Sequence, residues 1–205
     1  MMSYLSLVPH PPKVCLLTGG IAPMLTHPKD AYHSLYEKVK ERNELYYEMY
    51  PSDIPIIHTI VDALLQNPVP LPSGGILTAR RFLQLGISLG GSPSSFASLH
   101  SLFNSAILDS SSESIEFTRA FLKHMDGCQP FDDHPIYFLM HESIYGDGNR
   151  FGPTDWAAHQ ALEERIQTPD AFSHKLTSQM KSNDRPTLFT GEMVSYFVAF
   201  FRIDY

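Results

Sequence analysis

Two short apolar runs lie near opposite ends of the 205-residue chain, and a long stretch of helical patterns separates them. Lys13–Thr18 is bounded by prolines before it and by two glycines after it, and Pro186–Thr190 ends at Gly191. Apolar runs of this length between turn residues are typical of buried strands. Because two strands alone leave both faces of a sheet uncovered, we expect the rest of the sheet to belong to sequence outside this chain. The predicted fold is mainly α, with short flanking strands.

Helical spacing of apolar residues marks the region between the two runs. The spacing is clearest over Asp30–Tyr50, and it recurs over Ile54–Leu65, which must stop before Pro68. Thr78 is a typical N-cap for the amphipathic segment Ala79–Leu85. Further helices are predicted between Gly, Pro, Ser and Asp residues: Ser94–Leu108, Ser114–Met125, Pro135–Tyr145, Asp155–Ile166 and Pro169–Met180. The pattern is therefore strand, many helices, strand.

The composition excludes several classes of function. The formal charge is -7 and lysines and arginines form no cluster, which argues against a nucleic-acid-binding surface. Cys15 and Cys128 lie far apart and match no metal or redox spacing, so we expect buried thiols in a reducing compartment. The amino-terminal residues lack the features of a signal peptide, and no stretch has the length of a membrane span. We expect a cytoplasmic protein that does not bind membranes.

A serine motif occurs at Gly86-Ile87-Ser88-Leu89-Gly90, which matches the G-x-S-x-G pattern of a nucleophile elbow. An elbow needs a strand before its serine and a helix after it. Here an amphipathic helix is predicted before Ser88, and Gly91-Ser92-Pro93 interrupts the chain after it. The context is reversed, so we interpret the motif as a helix that ends at glycine.

His141-Glu142 begins like the zinc motif H-E-x-x-H, but Tyr145 occupies the position of the second histidine. One face of a helix would therefore offer a single metal ligand. We predict neither a metal nor another cofactor.

Glu142 has two open interpretations, because it lies among apolar and aromatic residues of a predicted helix. It is either a solvent-facing residue, which the sequence alone favours, or a carboxylate that receives the ammonium group of a substrate. Glu192, after the second apolar run, presents the same choice.

Six segments occur in an order that matches one enzyme family. They are Leu17–Pro23, the helix from Tyr32 to Asn43, Leu77–Gly86, His141–Tyr145, Trp156–Ala158 and Phe189–Met193. From about Tyr4 to Val194 the chain resembles the proline iminopeptidases of fungi and actinobacteria, which are serine aminopeptidases of the α/β-hydrolase superfamily.

The resemblance implies a helical cap inserted between core strands. It divides the chain into residues 1–24, a remnant of the hydrolase core; 25–185, the cap; 186–194, a return strand; and 195–205, a tail that departs from the family. Since Val194-Ser195 can be encoded by GTAAGT, a typical splice-donor sequence, we interpret the tail as a translated intron or an altered reading frame.

The resemblance also implies where the chemistry lies. The family's nucleophilic serine precedes the segment that matches Tyr4-Leu5-Ser6, and its acid and histidine follow the segment that matches Thr190-Gly191-Glu192. We therefore expect this chain to carry no catalytic residue and to be inactive alone. The family reaction is acyl transfer, in which the serine attacks the carbonyl of an N-terminal residue.

The implied substrate is a peptide with a free N-terminus, whose ammonium group the cap must recognise. Glu142 matches the cap position that would bind this group, with Tyr145 and Trp156 as walls for a proline ring and Glu192 as a further substrate-binding residue. An alternative is a non-catalytic helical interaction module derived from the cap. A small complete hydrolase that uses Ser88 is a third hypothesis. The oligomeric state stays open.

Overall fold

A computed structural model describes residues 8–10, 12–14, 16, 27–109, 115–128, 134, 136, 140, 142, 150, 152–166 and 186–190. Its helices are α1 (Pro28–Met49), α2 (Asp53–Gln66), α3 (Ala79–Leu83), a 3-10 helix (Gln84–Ser88), α4 (Ser95–Asn104), α5 (Arg119–Gly127) and α6 (Ala157–Ile166). Its strands are β1 (Val69–Pro70), β2 (Ile76–Leu77), β3 (Ile107–Asp109) and β4 (Glu116–Phe117). The chain is mainly helical, as the sequence predicts.

Helix α1 begins where the sequence supplies an N-terminal signal. Pro28 occupies the first turn, where a missing N–H costs nothing, and the Lys29 N–H donates to His27 Nδ1 at 3.2 Å. The helix buries one stripe of residues against two different partners. Tyr32 and Tyr36 pack on α6, and Tyr46 and Tyr47 belong to the main core. Helix α1 therefore joins the two hydrophobic clusters of the described chain.

Helix α2 ends just before Pro68, and a small hairpin follows it. Strands β1 and β2 pair antiparallel, with Val69 opposite Leu77. Gly74 turns the chain at a φ of +100°, which a glycine adopts without a Cβ clash. The Ser73 N–H donates to Asp126 Oδ2 at 3.1 Å, so the hairpin tip is fastened to the end of α5.

A second hairpin replaces the ends of two predicted helices. The predicted helix Ser94–Leu108 ends at Asn104, because Ser105 closes α4 through hydrogen bonds from its N–H and hydroxyl to the Ser101 carbonyl. Residues 107–109 then pair with β4. The predicted helix from Ser114 begins instead at Arg119, since the Thr118 hydroxyl caps α5 by accepting the Phe121 N–H at 3.2 Å. Both helix predictions were wrong at these ends.

The main core is built from aromatic rings contributed by separated elements. Phe103 of α4 stacks on Phe189 with ring centroids 5.6 Å apart, and Phe82 of α3 lies 5.7 Å from each of them. Phe121 and Tyr46 are also buried in this cluster. Burial of such rings is the main stabilising contribution to the helical body.

The two flanking strands of the sequence analysis are absent at the positions that the structure describes. Lys13, Val14 and Leu16 have no strand conformation, and Val14 and Leu16 are 77% and 85% exposed. The rest of that run lies outside the described residues. Pro186–Thr190 forms no strand either, although Thr187, Phe189 and Thr190 are buried. Helices α1 and α3 supply hydrogen-bond partners to Pro186–Thr190 within the described chain. The pairing of this run with strands outside the chain stays a prediction.

Helix α6 packs on the first half of α1 through small residues. Ala157, Ala158 and Ala161 are buried against the rings of Tyr32 and Tyr36. Ion pairs line the edge of this contact. They are Lys29 with Glu164, and Glu37 with Arg165 at 2.5 Å. His33 Nε2 also lies 3.2 Å from Glu164 Oε2. This contact fixes the position of the amino-terminal end of α6.

We expect the contact between α1 and α6 to weaken in acid. The hydrogen bond from Lys29, with the charges of Lys29 and His33, holds the pKa of Glu164 below its ordinary value of 4.5. A depressed carboxyl pKa adds stability above the unfolded-state pKa, and that stability is lost as the pH falls through the folded-state pKa. Urea unfolding at stepped pH should therefore show a steeper loss below about pH 4.5 for the parent than for Glu164→Gln. Glu44→Gln, at an exposed site of α1, is the control, and equal pH profiles for parent and Glu164→Gln would contradict the prediction.

No helix in the described part of the chain is both long enough and apolar enough to cross a bilayer. Of the two thiols, Cys15 lies outside the described residues, and Cys128 is free and half-buried rather than fully buried. Burial raises the pKa of the Cys128 thiol, so less of the reactive thiolate is present.

Candidate functional site

Glu142 is buried and binds the amino-terminal end of α6. Its side chain belongs to a residue that is only 7% exposed, and its Oε1 accepts the Ala158 N–H at 2.9 Å. Ala158 is the second residue of α6, so its N–H has no partner within the helix. The positive end of the helix dipole also favours a carboxylate there. The solvent-facing interpretation of Glu142 is therefore wrong.

Trp156 directly precedes α6 in a turn with unusual backbone angles. Asp155 and Trp156 have φ values of 50° and 56°, in the left-handed region that residues with a Cβ rarely adopt. Gln160 holds this turn. Its N–H donates to the Trp156 carbonyl at 3.1 Å, and its Nε2 donates to the Asp155 carbonyl at 2.8 Å. Strained turns of this kind persist only where surrounding contacts enforce them, and they are frequent at ligand sites.

The structure thus brings two of the four predicted substrate-binding residues to one helix end. Glu142 binds the amide two positions after Trp156, and the Trp156 residue is half-buried. Tyr145 and Glu192 lie outside the described residues, as does His141 of the incomplete zinc motif. The roles of Tyr145 and Glu192 and the absence of a metal therefore stay predictions. Among the residues that are described, no three His, Cys, Asp or Glu side chains are grouped to hold a metal ion.

Among the described residues, the carboxylate of Glu142 has a single hydrogen-bond donor. An ionised carboxylate offers about four lone-pair positions, and within the described chain only the Ala158 N–H donates to it. A second, charged donor would compensate for the removal of this carboxylate from water. Trp156 lies two positions before Ala158 in the sequence and directly precedes α6. A buried carboxylate of this kind can accept a hydrogen bond from a cationic group.

His159 of α6 experiences the charge of Arg80 from α3. Burial lowers the pKa of His159, and the nearby charge of Arg80 lowers it further. Burial likewise lowers the pKa of Arg80, but a guanidinium stays charged at any ordinary pH. His159 is therefore neutral at pH 7, whereas Arg80 stays cationic.

Ser88 lies in the 3-10 helix Gln84–Ser88, which continues directly from α3. Helical backbone precedes the serine and a turn at Leu89-Gly90 follows it, the reverse of a nucleophile elbow. The prediction that this motif is not an elbow is confirmed. No described histidine is hydrogen-bonded to the Ser88 hydroxyl, so no described base activates it.

We expect the 205-residue chain to resist fluorophosphonate labelling at Ser88. A serine hydroxyl without an adjacent base is a weak nucleophile, so incubation should leave the mass of the Ser88 peptide unchanged. Mass spectrometry of the digested chain measures this, and Ser88→Ala is the matched control. Stoichiometric labelling that disappears in Ser88→Ala would establish the small-hydrolase hypothesis.

Sequence reasoning missed a buried polar cluster around Asp53. Its carboxylate is fully buried, accepts a hydrogen bond from the Tyr46 hydroxyl, and lies 2.9 and 3.0 Å from His100 Nδ1. The Asn104 amide donates to the same carboxylate at 3.3 Å. These contacts fasten α2 to α4 and α1. No local motif indicates these contacts, because the partners of Asp53 come from two other helices, α1 and α4.

Comparison with known proteins gives two relatives of the same description. The chain is 30% identical over 193 residues to a proline iminopeptidase of Aeromonas sobria, covering 94% of this chain and 41% of that protein. It is 38% identical over 89 residues to the proline iminopeptidase aneH of Aspergillus aculeatus, covering 43% of this chain and 20% of that protein. No protein-family model matches. The chain therefore spans less than half the length of each of these relatives.

Proposed function

The chain belongs to the proline iminopeptidase family, and we propose that its helical body is the part of such an enzyme that recognises the free amino terminus of a peptide. The observation that carries the proposal is the buried carboxylate of Glu142 at the amino-terminal end of α6, next to Trp156. Hydrolysis of a prolyl peptide needs a group that distinguishes a charged N-terminus from an ordinary peptide bond. A carboxylate held away from water does this through a charge-assisted hydrogen bond.

The charge of Glu142 and the apolar ring of Trp156 give these two residues different proposed roles towards the substrate. The substrate's ammonium binds the lone pairs of Glu142 that Ala158 leaves open, and the proline ring packs against Trp156. Helix α6 cannot move away from this group without losing its packing on Tyr32 and Tyr36. The hydrogen bond from Ala158 connects the carboxylate to α6, and a recognition group held in one place would set the distance of the scissile carbonyl from the nucleophile.

The nucleophile and its base are proposed to lie outside these 205 residues. In support, Ser88 of the serine motif lies in a 3-10 helix instead of a strand-to-helix turn, and the chain covers 41% of the Aeromonas protein. The reaction would be acyl transfer to a serine followed by hydrolysis of the acyl-enzyme. On this proposal the 205-residue chain alone does not hydrolyse peptides.

A hybrid enzyme tests the proposal. In it, the region of the Aeromonas protein that aligns with this chain is replaced by the residues of this chain. We expect the hybrid enzyme to hydrolyse a prolyl chromogenic substrate, and the 205-residue chain alone to be inactive. Fluorophosphonate labelling of the hybrid enzyme shows whether its serine is competent. A hybrid enzyme that is labelled but inactive on prolyl substrates would contradict the proposal and favour the interaction-module hypothesis.

A further inference from the structure

The side chain of Gln160 is hydrogen-bonded to the turn that precedes its own helix. Its main-chain N–H donates to the Trp156 carbonyl at 3.1 Å, which is an ordinary helical bond that any residue except proline would make. Its Nε2 donates to the Asp155 carbonyl at 2.8 Å, and this second bond, here called the clamp, requires the glutamine side chain. The clamp is therefore a feature of this residue type and not of the helix alone.

The turn that the clamp holds is unfavourable for the two residues in it. Asp155 and Trp156 are the residues other than glycine that have a positive φ in the described part of the chain, and they are consecutive. Left-handed backbone costs free energy for any residue with a Cβ, and it is exceptional for a bulky residue such as tryptophan. Without a restraint we expect the pair to relax towards negative φ values. The clamp supplies such a restraint directly at the Asp155 carbonyl.

The same turn leads directly into the amide that binds Glu142. Ala158 follows Trp156 by two positions, and its N–H donates to Glu142 Oε1 at 2.9 Å. The direction of an N–H is fixed by its peptide plane, and the φ and ψ angles of the residues that enter a helix orient the planes of its first turn. The Trp156 indole has no hydrogen-bond acceptor, so it cannot cap α6 as a serine or aspartate would. The carboxylate of Glu142 takes the place of that cap, and the turn determines where it is bound.

The body of α6 is held in place independently of Gln160. Three alanines of α6 are buried against two tyrosine rings of α1, and Gln160 is only half-buried. Loss of the clamp should therefore change the turn and the first amides of α6 while the helix stays packed on α1.

We infer that Gln160 is a positioning residue for substrate recognition: by holding the left-handed turn at Asp155-Trp156, it sets the place of Trp156 and of the amide that binds Glu142. This inference rests on the proposed function. Gln160 acts through Trp156 and Glu142 and not by touching the substrate. Loss of the clamp should therefore weaken binding of the free amino terminus and leave the chemistry at the serine intact.

The clamp is first tested in the 205-residue chain, where Trp156 is the only tryptophan and its fluorescence reports the turn without reference to activity. Gln160→Met keeps the length and helix propensity of the side chain but removes the donor, and it should raise the acrylamide quenching constant about twofold. Gln66→Met, at the exposed end of α2, is the matched control and should leave quenching unchanged. Unchanged quenching in Gln160→Met would overturn the inference. A loss of helix content in Gln160→Met, measured by circular dichroism, would also overturn it, because Gln160 would then support the whole of α6.

A glycine at the strained position provides a rescue experiment. Asp155→Gly allows the left-handed backbone without a Cβ clash, so its combination with Gln160→Met should return the quenching constant towards the parent value. If the added glycine gives no recovery, backbone strain is not what Gln160 restrains, and the inference fails.

The positioning role is then tested in the hybrid enzyme with two substrates, a prolyl chromogenic amide with a free N-terminus and p-nitrophenyl acetate, an ester that has neither the ammonium nor the ring. Gln160→Met should raise KM for the amide about fivefold, with kcat and ester hydrolysis within about twofold of the parent. Gln66→Met should change neither substrate, and Asp155→Gly combined with Gln160→Met should recover most of the lost affinity. Equal losses on both substrates, or no loss on either, would overturn the inference. A parent hybrid enzyme without preference for the free N-terminus would instead contradict the proposed function, while quenching of Trp156 would still report the clamp.

Discussion

Glu142→Gln should lower kcat/KM of the hybrid enzyme roughly 30- to 700-fold for prolyl substrates with a free N-terminus. This factor corresponds to a loss of about 2 to 4 kcal/mol in transition-state stabilisation. Glutamine has nearly the same shape, and its carbonyl oxygen can still accept the Ala158 N–H. The end of α6 therefore stays capped. What disappears is the negative charge opposite the substrate's ammonium, together with one acceptor. Steady-state kinetics on a prolyl chromogenic amide measures the loss.

The main control for this substitution is a second substrate that lacks the ammonium group. An uncharged ester presents no ammonium, so parent and Glu142→Gln should hydrolyse it almost equally. Glu163→Gln changes an exposed carboxyl of α6 and should affect neither substrate. Equal losses on amide and ester would show that Glu142 supports the fold or the catalytic geometry instead of recognition. If neither substrate is hydrolysed more slowly, Glu142 does not take part in substrate binding.

Phe189→Ala should destabilise the 205-residue chain by about 3 to 5 kcal/mol, as is usual for removal of a buried aromatic ring. The ring is fully buried, and it lies 5.6 Å from the ring of Phe103 and 5.7 Å from that of Phe82. The chain around residue 189 is held by main-chain hydrogen bonds, so the cavity has little freedom to collapse. Urea unfolding followed by circular dichroism measures the change in the free energy of unfolding.

The same experiment decides whether residues 186–190 belong to the folded helical body. Leu65→Ala removes a side chain that is 40% exposed on α2 and serves as the control, with an expected cost well below that of Phe189→Ala. If Phe189→Ala costs no more than Leu65→Ala, the segment lies outside the cooperative core. In that case it would belong to a sheet elsewhere, as the sequence pattern first suggested.

The helices were predictable where local signals agree. Helix α1 was predicted over Asp30–Tyr50 and is observed over Pro28–Met49, and α2 was predicted over Ile54–Leu65 and is observed over Asp53–Gln66. Apolar periodicity, a capping residue and a following proline all act within a few residues, so they are visible in one sequence. Thr78 likewise caps α3 as predicted, accepting the Arg81 N–H at 3.2 Å.

The structure differs from the predictions where residues distant in the sequence determine the local conformation. The apolar run at residues 186–190 has the composition of a strand, but Asn43 and Leu83 supply its hydrogen bonds from helices. Nothing near residue 189 indicates such partners, because Asn43 lies 146 positions earlier in the chain. The second hairpin has the same origin, since β3 is extended only because β4 pairs with it.

The candidate site was predictable in residue type but not in environment. A carboxylate among aromatic residues identified Glu142, whereas its burial depends on α6, whose Ala158 lies 16 positions away in the sequence. Its neighbour Met140 is 61% exposed, so the local sequence does not reveal which positions face inward. The left-handed turn at Asp155-Trp156 was also invisible, because neither residue type requires it.

Direct comparison of one substrate with and without its charge tests the central claim, that this helical body recognises a free amino terminus. The hybrid enzyme is assayed on a prolyl chromogenic amide and on the same compound with an acetylated proline nitrogen. We predict that acetylation lowers kcat/KM by about 100-fold or more in the parent, and that Glu142→Gln removes most of this difference. Equal hydrolysis of the free and the acetylated substrate by the parent would contradict the account.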